Sequence, residues 1–108
     1  MAKYLLLYGG AAALPEGEDA QKAIMADWMA WFGKLGSNVV DGGNPFSMAK
    51  SVDSHGMVSD GPAGPMATGY CIIKAGSLDA AAAIARECPV LQGGANISVY
   101  ETVAHPGE

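Results

Sequence analysis

At 108 residues, half of them apolar and 16% charged, the chain suits one globular domain around a single core and is not a disordered segment. Six Lys and Arg against eleven Asp and Glu leave a net charge of −5, and the cations (Lys3, Lys22, Lys34, Lys50, Lys74, Arg86) are scattered. That excludes a binder that neutralises a nucleic-acid backbone, which needs clustered cations, and no apolar run reaches the ~18–20 residues of a membrane span.

Lys3 to Tyr8 is a short apolar run ending at Gly9-Gly10. Tyr4, Leu6 and Tyr8 share one face and Leu5 and Leu7 the other, so the run reads as a strand covered on both sides. Lys3 before the leucines faintly suggests a signal peptide, but the glycines interrupt it and Glu16, Glu18 and Asp19 follow. A first strand in a cytoplasmic protein is the expectation.

Pro15 to Leu35 reads as a long helix, with acids in its first turn to suit the dipole. Ile24, Trp28, Trp31 and Leu35 follow helical spacing on one face, Met25, Met29 and Phe32 are expected to broaden the stripe, and Gly36 ends it. Asn38 to Pro45 reads as a loop centred on Asp41-Gly42-Gly43-Asn44-Pro45. Lys50–Val52 and Met57–Val58 read as short strands around the turn Asp53-Ser54-His55-Gly56.

Asp60 to Gly69 holds three Gly and two Pro and reads as loop. Tyr70 to Ala75 is a strand apolar on both faces. Ser77 caps a helix over Leu78 to Cys88, with Leu78, Ala81, Ala85 and Cys88 tracing its inner face, and Pro89 stops it. Asn96 to Val103 is the last strand.

The order strand, helix, strand with hairpin, strand, helix, strand predicts an α+β domain of ferredoxin-like βαββαβ topology. Two helices lie on one face of a four-stranded antiparallel sheet. The other face, apolar and bare, is expected to pair with a second copy as a homodimer.

Cys71 and Cys88 form no C-x-x-C pair, and neither His55 nor His105 stands at ligand spacing. Both thiols read as buried in a reducing compartment, and neither a metal nor a cofactor is expected.

Several motifs occur in an order that resembles the YCII-related family, including its members with an Asp-Gly-Pro-Phe motif. They are Tyr4 to Tyr8, the Trp28–Phe32 helix core, Gly43-Asn44-Pro45, Asp60-Gly61-Pro62, Gly69 to Ala75, Leu78 to Ala81, and Cys88-Pro89. The resemblance spans nearly the whole chain as a single domain, 1–108. It implies a dimeric α/β barrel with a site in a cleft between helix and sheet, and for some members a lyase or dehalogenating reaction using a His-Asp pair. Here Ala63 occupies the motif's Phe position, and no His stands where the paired base would be.

Asp60 is the candidate catalytic group. In a Gly-Pro turn at the mouth of a cleft, a carboxylate whose pKa is raised by burial works as acid or base; otherwise it stabilises its turn. Asn44 either presents its amide to a substrate carbonyl or pins its loop. Tyr8, Trp28 and Trp31 either line an apolar substrate pocket or fill the core, and Met66 either lines the pocket mouth or is a surface residue. These residues are compatible with a cofactor-free lyase or isomerase acting on a small apolar molecule that bears a carbonyl or carboxylate. They are equally compatible with a non-catalytic small-ligand-binding or interaction module.

Overall fold

The computed structural model describes residues 1–10 and 16–104. Among these residues, six strands and two α-helices follow in the order β1 (Ala2–Gly9), α1 (Glu18–Leu35), β2 (Val39–Asp41), β3 (Lys50–Val52), β4 (Val58–Asp60), β5 (Ala67–Ala75), α2 (Leu78–Ala85) and β6 (Asn96–Glu101). Four of the strands form one antiparallel sheet in the order β2-β5-β1-β6, the ferredoxin-like arrangement, with both helices on one face. The thinnest dimension of the molecule is 19 Å, the depth of one sheet and one helix layer.

Alternation along β1 decides which face is which. Tyr4, Leu6 and Tyr8 are buried under the helices, opposite Ile73, Cys71 and Gly69 of β5. Leu5 and Leu7 point to the other face, where they pair with Ile72 and Tyr70 and remain half-buried. The open face is therefore the Leu5 face, and Tyr100 of β6 extends it beside Leu5.

Helix α1 lays the expected stripe on the core: Trp31 is buried, and Trp28, Phe32 and Leu35 pack against it. Met25 and Met29 do not broaden that stripe; they are 61% and 73% exposed. Each lies one residue past a core-facing position, about 100° round the helix, and so turns outward. Pro15, the expected start, lies outside the described residues, and the helix begins at Glu18. In α2, Ser77 Oγ accepts the Ala80 N–H at 3.0 Å, the expected cap. Ala81 and Ala85 are buried and bring the helix close to the sheet, whereas Leu78 faces solvent. The α-helix ends at Ala85, and Cys88 leads into a 3₁₀ segment over Pro89–Gly93.

Two expectations about strands are corrected. The second strand of the main sheet is Val39–Asp41, from the stretch read as loop, and not a hairpin strand. It is three residues long and irregular, pairing Val39 with Ile73 and Asp41 with Ile72, so no alternation announces it. Strands β3 and β4 form a separate two-stranded ribbon, paired Lys50↔Asp60, Ser51↔Ser59 and Val52↔Val58. Asp53 Oδ1 closes its turn by accepting the His55 and Met57 N–H groups at 2.8 and 2.9 Å. Val52 and Val58 face each other on the ribbon, both about three-fifths exposed. The radius of gyration is 15.6 Å, against about 13 Å for a compact chain of this length.

Candidate functional site

One end of the sheet gathers most of the residues singled out from the sequence. Here β1 finishes at Tyr8-Gly9, β5 begins at Ala67, and the segment 41–46 folds over the edge of β5. Pro45 bridges to Gly69, and the Phe46 N–H donates to the Thr68 carbonyl at 2.8 Å. Gly69 makes the approach possible: a Cβ there would stand 3.2 Å from Tyr8 Cδ2 and 3.3 Å from the Asn44 carbonyl oxygen. The Tyr8 ring and the Asn44 backbone thus both close on a residue with no side chain. Met66 is at the same end, its carbonyl 3.4 Å from where a Gly9 Cβ would be, with its side chain exposed.

On the helix side this end is packed solid. The Tyr8 ring meets Trp28 edge-on at 5.9 Å, and Trp28 meets Trp31 and Phe32 at 5.9 and 5.7 Å. Trp31 donates its indole N–H to the Ile84 carbonyl at 3.3 Å and ties α1 to α2. The Cys88 thiol donates to Tyr8 Oη at 3.9 Å. Burial pushes the Cys88 thiol up to about 11, and burial, followed by contact with Cys71, pushes the Tyr8 phenol up as well. These groups stay protonated at neutral pH and are not nucleophiles.

A pH dependence follows from those shifts. Cys88 holds its proton more tightly in the folded than in the unfolded chain, so its contribution is complete below the ordinary value of 9.0 and is lost as pH rises towards about 11. The urea midpoint is expected to fall across that window, and Cys88→Ala should fall less steeply. Equal slopes for the two proteins would show that Cys88 has no part in the alkaline loss.

On the open-face side the same end carries a different cluster. Tyr70 donates its hydroxyl to Asp41 Oδ2 at 3.1 Å, while Asp41 Oδ1 accepts the Gly43 N–H at 2.8 Å. The Tyr70 ring stacks on Phe46 with centroids 5.7 Å apart, and the Asn44 side chain lies beside the same phenol. The hydrogen bond to Asp41 and then the Asp41 charge push the Tyr70 phenol up from its ordinary value. Asn44 was singled out from the sequence; Asp41 and Tyr70 were not. The Asp-x-Gly spacing at 41–43 signals a side-chain turn, but nothing in the sequence joins position 41 to position 70.

Asp60 is differently placed. It ends β4 on the ribbon, its side chain is 92% exposed, and Lys50 Nζ lies 2.6 Å from its Oδ1. Within one chain Asp60 is not the buried acid at a cleft mouth that the sequence suggests. An open groove between α1 and the 3₁₀ segment is lined by Asp27, Trp31, Lys34, Glu87, Pro89 and Gln92 and contains none of the proposed site residues except Trp31. His55 sits at the ribbon's turn, and His105 lies outside the described residues. No group of three or more His, Cys, Asp or Glu side chains among the described residues could hold a metal ion. No helix among them is long and apolar enough to cross a membrane.

No family model and no curated protein sequence matches this chain. Among solved structures, it is similar to the 5-chloro-2-hydroxyhydroquinone dehydrochlorinase of Burkholderia phenoliruptrix AC1100, determined as a complex with 2,5-dihydroxybenzoquinone. The likeness covers 95% of each chain at 15% identity with a TM-score of 0.58, and at that identity it is a likeness of fold.

Proposed function

We propose that this chain is a cofactor-free enzyme of lyase or isomerase type for a small apolar molecule bearing a carbonyl or carboxylate. The molecule would bind where segment 41–46 wraps the sheet edge. The observation that carries this reading is the convergence of the Asn44 amide, the Tyr70 hydroxyl and the Asp41 carboxylate beside an apolar strip made by Leu7 and Ile72. Tyr8, Trp28 and Trp31 would support the site from the helix-sheet side as an apolar floor, and Met66 would stand at its rim. The motifs resembling the YCII-related family support the same reading. So does the likeness in fold to a 5-chloro-2-hydroxyhydroquinone dehydrochlorinase.

Asp60, the acid or base expected from the sequence, enters this reading only through a second copy of the chain. The open sheet face around Leu5 and Tyr100, beside the Tyr70 end that takes the small molecule, offers a homodimer surface, and a partner would have to bury the ribbon for Asp60 to work. Sedimentation of the full chain tests this: a monomer removes the dimer and the Asp60 role together.

The reading itself is tested with 2,5-dihydroxybenzoquinone, titrated into the full chain and followed by absorbance. Saturable binding is expected, with Asn44→Ala weakening it about tenfold, the worth of one good hydrogen bond. Absence of saturable binding to the wild-type chain would overturn it. Binding with no chemical change to any carbonyl substrate tried would leave the second reading, a ligand-binding module, which the exposure of Asp60 favours.

A further inference from the structure

The Tyr70–Asp41 pair is not needed to hold its loop. Segment 41–46 is already fastened to β5 by the Pro45–Gly69 bridge and by the Phe46 N–H bond to Thr68. Gly43, at a φ of +76°, brings the loop backbone against the Tyr70 carbonyl. What the pair adds is chemical. A carboxylate is held by two different donors, one on each oxygen, and one of those donors is a hydroxyl on the open face beside Leu7. With its proton directed at Asp41 and the Asn44 amide close by, Tyr70 Oη keeps a lone pair for a third partner.

We propose that Tyr70 and Asp41 form a proton relay that removes an acidic α-hydrogen from a carbonyl compound, an inference that rests on the small-molecule reading above. The substrate's α C–H bond breaks and its electron pair becomes the enolate. That proton bonds to Tyr70 Oη as the phenolic proton passes to Asp41 Oδ2. Reversal of the relay at a different carbon completes an isomerisation. Departure of a leaving group with its electron pair from the neighbouring carbon completes an elimination. Neither outcome needs an oxidant, a reductant or a metal. The raised Tyr70 pKa supports the scheme, because the relay must start with its phenolic proton in place. The substrate class is an apolar ketone or a related enolisable carbonyl compound that can lie on the open face against Leu7 and Ile72.

The test is hydrogen exchange into 2-tetralone in D2O, read by mass spectrometry with the full chain. Wild type is expected to exceed the buffer rate. Asp41→Asn and Tyr70→Phe should each lower the enzyme-dependent rate by roughly 100-fold, and the double variant by no more than either single one. Tyr70→Phe keeps the ring on Phe46, so its loss of rate would not be a loss of packing. Exchange by Asp41→Asn at the wild-type rate would overturn the relay. So would wild-type exchange at the buffer rate in a protein that still binds the quinone; failure of both experiments would instead take the small-molecule reading with it. A second measurement needs no substrate. Carbon-13 NMR of labelled tyrosine should show Tyr70 titrating at lower pH in Asp41→Asn, and an unchanged midpoint would also overturn the pairing.

Discussion

Gly43→Ala is expected to lower the urea midpoint of this protein by the equivalent of about 3 kcal/mol or more, a large share of a small domain's stability. Two costs combine. Residue 43 has a φ of +76°, where an L side chain is strained by roughly 1–2 kcal/mol. A Cβ there would also stand 1.6 Å from the Tyr70 carbonyl oxygen and 2.6 Å from its carbon. The obstacle is backbone in the middle of the sheet, so it cannot rotate away as a side-chain tip would. Either the loop lifts off β5 or the β2–β5 edge opens. Gly56→Ala is the matched control, because its φ is +83° yet nothing lies within 4 Å of its Cβ position. It should cost about 1–2 kcal/mol, the strain alone. Equal losses in the two variants would mean that segment 41–46 is not pressed against β5, and the proposed site would go with it.

Trp31→Ala is expected to cost about 3–5 kcal/mol, as for other large-to-small changes in a packed core. Trp31 is 5% exposed and is the most buried member of the helix's aromatic group, 5.1 Å from Phe32 and 5.9 Å from Trp28. Its removal leaves a cavity between α1 and α2 and takes the indole donor from the Ile84 carbonyl, which keeps the Glu87 N–H. Trp31→Phe keeps most of the volume and should cost about 1–2 kcal/mol, chiefly the lost indole N–H bond and some packing. Trp28→Ala should cost less than Trp31→Ala, since Trp28 is only half-buried. Denaturant unfolding of the three variants separates a structural tryptophan from one available to a ligand. A loss below about 1 kcal/mol for Trp31→Ala would remove Trp31 from the core and return it to the site.

The proposed site divides along a line that one-dimensional reading does not draw. Tyr8, Trp28 and Trp31 carry a strong apolar pattern and lie on the helix side, packed against one another. Asn44 lies in the edge loop beside Tyr70 of β5, which a hydrogen bond joins to Asp41, 29 residues earlier in the chain. Asp60 has the most suggestive local motif of all, yet it pairs across the ribbon with Lys50 in solvent. A Gly-Pro turn specifies a backbone shape, and it carries no information about what covers the side chain.

The pattern of apolar residues was enough to determine β1, α1, β5, α2 and β6 within a few residues, together with their ferredoxin-like order. Periods of 2 and 3.6 register burial directly, and these elements are long enough to show them. The Ser77 cap was legible for the same reason: its hydrogen bond spans three residues. Tertiary structure alone decided that Val39–Asp41 is a sheet strand, that Lys50–Asp60 forms a separate ribbon, and that Leu5 and Leu7 face away from the helices. It also decided that Asp41 meets Tyr70. Each of these depends on pairing with a distant segment, and the energy of such a contact belongs to two stretches of chain at once. Neither stretch carries the signal alone, so only the folded chain brings it into view.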